Sequence, residues 1–71
     1  MKVLYKGYTL CAIAEKRAEN RWKTRPAVAR EEGGNLKVIP LHGPPELTFQ
    51  TAEEAKDYAL KLAKVWVDSH P

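Results

Sequence analysis

The sequence predicts an α+β fold, in which an antiparallel sheet of three or four strands is covered on one face by a C-terminal helix. Before residue 51, short runs with strand-like alternation are separated by turn residues such as Gly33 and Gly34. From Thr51 onward, small or apolar residues recur every three or four positions, which is the spacing of one buried helical stripe. A chain of 71 residues is expected to form a single small domain over positions 1–71.

The first strand is predicted over Val3–Ala14, where apolar residues fall on both parities. Two explanations are open, because a strand covered on both faces and a strand whose register shifts at a bulge both give this pattern. Gly7 is the expected bulge site, since glycine tolerates a positive φ. The polar segment Glu15–Asn20 is predicted to connect the first hairpin, in which Asn20 is able to adopt the left-handed conformation.

The second strand is predicted over Arg21–Arg30, and its alternation places one face on the core and the other in water. The core parity carries Trp22, Thr24 and Val28. The solvent parity carries three cations, Arg21, Lys23 and Arg25. Pro26 cannot donate a backbone hydrogen bond, so the strand is expected to be an edge or to kink there.

Two further strands are predicted before the helix. The turn Glu31–Asn35 leads into a third, short strand over Leu36–Pro40, because Gly-Gly and Gly-Asn supply the φ values that a hairpin requires. A rigid loop over Leu41–Pro45 follows. A fourth strand over Glu46–Gln50 is expected to deliver Phe49 to the core.

The helix is predicted to begin at Thr51 and to end near Val67. Thr51 and Glu54 form a capping box, in which the hydroxyl accepts from a free backbone N–H and the carboxylate reaches back toward the cap. Small residues on the buried stripe allow the helix to lie close to the sheet. The side chains expected to be largely buried are Trp22, Val28, Leu10, Phe49, Leu62 and Trp66.

The net charge of +3 is unevenly distributed along the chain. Residues 1–37 hold nine Lys and Arg against four Glu, giving +5, and residues 38–71 hold three Lys against five acids, giving −2. A basic sheet half can attract nucleic acid. Alternatively, these Lys and Arg residues form a solvated sheet face that keeps the protein soluble and discourages edge pairing. The modest net charge favours this interpretation over a dedicated nucleic-acid binder.

No group of residues has the spacing of a catalytic, metal or cofactor site, so we expect a non-enzymatic protein without metal or cofactor. Cys11 lies in mid-strand without a neighbouring base to lower its pKa, which is typical of structural packing. His42 and His70 have no second ligand at metal spacing. No glycine-rich phosphate loop precedes the helix.

The arrangement with the most chemical content is the cation trio Arg21, Lys23 and Arg25. Side chains two residues apart in a strand are about 6.6–7 Å apart, which is near the spacing of successive phosphates in an extended single strand. Lys6 and either Tyr5 or Tyr8 are candidate neighbours, since a tyrosine on the same face can stack on a base. Packed tyrosines and solvated cations are the alternative.

Two partial resemblances cover much of the chain. Tyr5-Lys6-Gly7-Tyr8, Arg21-Trp22-Lys23 and the segment from Phe49 through Thr51, Glu53-Glu54-Ala55 to Trp66-Val67-Asp68 resemble small uncharacterised bacterial proteins built from a sheet and a C-terminal helix. That family implies no activity.

The order of three strands followed by Thr51-Ala52-Glu53-Glu54-Ala55 also resembles the partial ribonuclease-H-like domain of HicB-type antitoxins. This resemblance implies a protein partner, and DNA binding through a second domain. The chain departs from that family where Pro40-Leu41-His42-Gly43-Pro44-Pro45 replaces its Pro-Asp-x-Pro-Gly segment, and we expect it to lack an appended DNA-binding domain.

The sequence therefore predicts a small interaction module that binds another protein or a second copy of itself, with nucleic-acid binding through the basic sheet face as the alternative. A cytoplasmic location is expected, because Lys6 and Gly7 interrupt any apolar signal segment and no apolar run is long enough to span a membrane.

Overall fold

Four antiparallel strands follow one another along the chain and lie side by side in the same order. The computed structural model describes residues 2–70. Its elements are β1 (Lys2–Tyr5), β2 (Tyr8–Ala18), β3 (Arg21–Glu32), β4 (Asn35–Pro40) and α1 (Ala52–Ser69). The predicted α+β class and the order of four strands and a C-terminal helix are confirmed.

The prediction of one strand over Val3–Ala14 is wrong, because the chain reverses at Lys6 and Gly7. Their φ angles of 49° and 84° suit a two-residue hairpin turn, which requires positive φ at both positions. Tyr5 therefore pairs with Tyr8. The register shift expected at Gly7 occurs instead between Lys16 and Ala18.

The next hairpin turn contains Asn20, whose φ of 55° is the left-handed conformation that the sequence allowed for it. β2 runs on to Ala18, so most of the segment predicted as a connection is strand. Long strands on both sides of this turn extend the sheet well beyond the end of β4.

The segment Glu46–Gln50 is not a fourth strand. A turn in which the Leu47 N–H donates to the Pro44 carbonyl at 3.2 Å takes the chain out of the extended conformation. Phe49 alone reaches the sheet, where it forms an isolated bridge with Trp22 through N–O distances of 2.7 and 2.8 Å. The sheet still has four strands, because the segment predicted as a single first strand forms two, β1 and β2.

The helix begins where the capping signal places it. The Thr51 hydroxyl accepts from the Glu54 N–H at 3.2 Å, which confirms Thr51 as the N-cap. The Glu54 carboxylate accepts from the Thr51 hydroxyl at 3.1 Å, rather than from the backbone of the cap. α1 ends at Ser69, two residues beyond the predicted end.

The core lies between α1 and one face of the sheet. Four small or β-branched helix residues at four-residue spacing are buried, namely Ala55, Ala59, Ala63 and Val67. They face Leu10 and Val28, which are fully buried as predicted. The other predicted core residues, Trp22, Phe49, Leu62 and Trp66, are only partly buried, because they lie at the ends or along the sides of this narrow interface. The Thr24 hydroxyl donates to the Ala55 carbonyl at 2.9 Å, which fixes the helix against β3.

Candidate interaction surface

The helix covers only one face of the sheet, and we call the other the open face. The row Val3, Leu10, Val28 and Ile39 points toward the helix. Because side chains alternate along a strand, the rows on either side of it point away. The open face therefore contains the row Leu4, Thr9, Ala29 and Val38 and the row Lys2, Cys11, Ala27 and Pro40.

The open face has an apolar centre, in which small residues on β2 and β3 lie between larger apolar side chains on the edge strands β1 and β4. Large apolar side chains on it are strongly exposed, with Leu4 at 78%, Leu36 at 68%, Ile13 at 55% and Val38 at 55% of their full accessible area. Ala29 lies between them and is only 6% exposed, since its larger neighbours shield it. Single exposed apolar residues are ordinary, but several of them on one uncovered sheet face are typical of an interaction site.

One end of the open face is basic, and it contains Arg21, Lys23 and Arg25. The structure brings these three predicted residues together on one face, because they share the odd parity of β3. Glu15 lies among them and bonds Arg17 at 2.9 Å and Arg25 at 2.5 Å. The hydrogen bonds from Arg17 and then Arg25 hold the pKa of the Glu15 carboxyl below its usual value. This carboxylate therefore neutralises part of the cluster.

Lys6 and Tyr8 lie apart from the cation trio. The Lys6 ammonium lies 2.7 Å from Asp68 of the helix, and this hydrogen bond raises the pKa of Lys6. Tyr8 is 8% exposed on the helix side, where its ring meets the edge of Trp66 at a centroid distance of 5.7 Å. The structure therefore divides the five predicted nucleic-acid contacts between two faces, and leaves Tyr8 no exposed ring for base stacking.

A groove of about 440 Å³ lies at the edge of β3 where β4 stops, between open-face residues such as Arg25 and helix-side residues such as Pro26. We call it the corner groove. Apolar walls come from Ile13, Pro40, Leu41 and Pro45, and Arg25 and His42 also line it. Gly43 allows the loop to approach β3 closely, since a Cβ there would lie 2.9 Å from the Thr24 methyl carbon.

His42 and His70, 28 positions apart in sequence, both border a second cavity of about 350 Å³ beside Leu62 and Trp66. The His70 ring stacks on Trp66 at a centroid distance of 4.2 Å, and its Nδ1 lies 2.8 Å from the Trp66 carbonyl oxygen. Within residues 2–70, no group of three His, Cys, Asp or Glu side chains is placed to hold a metal ion.

The apolar centre of the open face was not predicted from the sequence. The signal was the apolar residues on both parities of positions 3–14, together with Leu36 and Val38 two residues apart in β4. Such a pattern is typical of a strand covered on both faces. The structure shows the apolar residues on both faces, with a cover on only one of them.

Neither a family model nor a curated protein nor a solved structure matches this chain. The two family resemblances drawn from the sequence therefore stay expectations. Across the described residues, no helix is long and apolar enough to cross a membrane.

Proposed function

We propose that this chain is a small non-enzymatic interaction module that binds a protein through the open face, in the cytoplasm of the cell that makes it. The observation that carries the proposal is the group of exposed apolar side chains on a sheet face that the helix leaves uncovered. Burying this group against a partner would remove it from water, which is favourable by roughly 25 cal/mol for each Å².

The surroundings of the apolar centre suit a binding surface. Protein interfaces commonly combine an apolar middle with a polar rim. Here Lys2 stands at one side of the apolar rows, and Arg25 and Glu31 flank them along β3. Such a rim would orient a partner, whereas the centre would supply most of the affinity.

Nucleic-acid binding is the second candidate. It is favoured by the placement of Arg21, Lys23 and Arg25 on one face, and two of these cations, Arg21 and Lys23, make no ion pair with any residue in the range 2–70. The carboxylate of Glu15 among them and the separation of Lys6 and Tyr8 favour the protein-binding proposal over this one.

Site-specific photo-cross-linking tests the proposal. A photoreactive phenylalanine would replace Ile13 or Val38 on the open face, or Val65, an equally exposed apolar residue on the helix. We expect adducts from Ile13 and Val38 in the producing cells and none from Val65, with mass spectrometry identifying the captured protein. Equal capture from Val65, or none from the open face, would contradict the proposal.

A further inference from the structure

We propose that the partner of the open face is a second copy of this chain, stacked face to face with its strands inverted, so that Leu36 of each copy enters the corner groove of the other. This inference rests on the proposed function, since it uses the same face. It goes further by naming the partner and the contacts.

The register of the sheet defines the symmetry. The row Val3, Leu10, Val28 and Ile39 runs straight across all four strands. We place a two-fold axis in the plane of the interface, parallel to this row. Each strand then lies over the same strand of the second copy, running in the opposite direction. Positions equally far from the row, but on opposite sides of it, face each other across the interface. Ala27 of one copy then faces Ala29 of the other. Small residues at the centre allow the sheets to approach to the about 10 Å typical of stacked sheets.

The charges on β3 are complementary under this operation. Arg25 and Glu31 each lie three positions from Val28, in opposite directions, and about 10 Å from it along the strand. The axis therefore places Glu31 of one copy opposite Arg25 of the other, twice in each dimer. Glu31 makes no ion pair within the part of the chain that the structure describes, so its carboxylate is available.

The shapes on β4 are complementary as well. Leu36 lies three positions before Ile39, so the axis places it opposite the position of residue 42 in the second copy. That position borders the corner groove, whose apolar walls include Pro40, Leu41 and Pro45. A leucine that is 68% exposed thus meets an apolar groove of about 440 Å³. Such a contact is self-complementary, as a closed two-fold dimer requires.

The size of the surface is that of a weak, transient complex. Four strands span about 19 Å across, and the stretch of β3 from Arg25 to Glu31 extends roughly 20 Å along them, so each flat footprint is on the order of 400 Å². A stable interface buries at least about 1,200 Å² in total, and two such footprints bury less. Side chains that project from the sheets add to the buried area. We therefore expect a dissociation constant in the micromolar range.

Sedimentation velocity from about 1 to 500 µM measures the association. We expect the wild-type chain to pass from its monomer mass of 8.0 kDa to twice that value over this range. Leu36→Lys should weaken the dimer at least tenfold, because it places a cation in a groove lined by Arg25 and His42. The matched control Val65→Lys changes an exposed apolar residue on the helix, and it should leave the dimer intact.

A charge exchange between copies tests the inverted stacking itself. Glu31→Arg and Arg25→Glu should each weaken self-association, since each homodimer would contain two like-charge contacts. Mixing the two variants should restore association, because both contacts then join opposite charges. Arg25→Glu also removes the ion pair with Glu15 within the same copy. This loss is the same in the pure variant and in the mixture, so recovery on mixing reports the contact between copies.

Three results would overturn the inference: a monomer at 500 µM, a dimer that Leu36→Lys leaves unchanged, or variants that do not recover on mixing. A monomeric wild-type chain that still gives adducts to a different protein from Ile13 would leave the proposed function standing. Loss of those adducts as well would remove both.

Discussion

Asp68 connects the helix to the first hairpin through two exposed contacts. Its carboxylate accepts from the Lys6 ammonium at 2.7 Å and from the Tyr5 hydroxyl at 2.9 Å. The hydrogen bond from Lys6, followed by that from Tyr5, holds the pKa of Asp68 below its usual value. Since Lys6 and Asp68 are 62 positions apart, no local sequence pattern could predict this pairing.

The lowered pKa of Asp68 gives a testable pH dependence. Its contribution to stability is complete above the unfolded pKa of about 3.9 and is lost as the pH falls through the lower folded value. At pH 7 the wild type should therefore unfold at a higher urea concentration than Asp68→Asn. The difference between the two urea midpoints should shrink as the pH is lowered toward 2. A difference that stays constant across this range would show that the Asp68 charge is irrelevant to folding.

Thr51 is a residue whose role was predictable, because its cap is made within four consecutive positions. We expect Thr51→Ala to lower the free energy of unfolding by about 0.5–2 kcal/mol, since the Glu54 N–H loses its acceptor. Chemical denaturation measures this, and Thr51→Ser serves as the control because it keeps the hydroxyl. If Thr51→Ala unfolds at the wild-type midpoint, the cap contributes nothing.

At the scale of elements, the helix was predicted well and the strands less well. The helix carries a local start signal and a periodic stripe, both visible in consecutive residues. Strand bounds depend instead on which segment pairs with which, and that information is not local. The turn at Lys6 and Gly7 was missed because a two-residue hairpin and a bulge require the same left-handed glycine.

The first hairpin supports a prediction at Gly7. Its φ is 84°, and an added Cβ would meet no atom within 4 Å, so a substitution there is strained by the backbone alone. Gly7→Ala should cost about 1–2 kcal/mol in the free energy of unfolding, and Gly7→Asn should cost less, since asparagine enters the left-handed region more readily. Equal stability of all three proteins would mean that the hairpin turn is not formed as described.

At the scale of the whole molecule, the sequence predicted a basic sheet half but not how its charges are placed. The alternation of β3 correctly grouped Arg21, Lys23 and Arg25, because that pattern is local to one strand. The pairing of Arg25 with Glu15 depends on the register between β2 and β3. The apolar centre beside the cations was likewise hidden, since four separate segments build it.

This placement sharpens the expected behaviour toward nucleic acid. Three phosphate contacts to a single strand would give a log–log salt dependence of affinity with a slope of roughly −2. If Arg25 stays with Glu15, two contacts remain and the slope is about −1.4. Filter binding to a single-stranded oligonucleotide over a range of salt concentrations distinguishes the two cases.

A matched pair of triple variants decides whether the cation trio is responsible for any such binding. Replacing Arg21, Lys23 and Arg25 by Gln should flatten the slope. Each contact that is lost leaves one more phosphate with its condensed counterions, so fewer counterions are released on binding. Replacing Lys56, Lys61 and Lys64 of the helix by Gln lowers the net charge equally on the other side of the molecule. If both variants weaken binding alike, the attraction comes from net charge alone.

If the wild type does not bind at low salt, the nucleic-acid candidate fails. The contacts of Arg25 are then the ion pair with Glu15 and the proposed contact with Glu31 of the second copy.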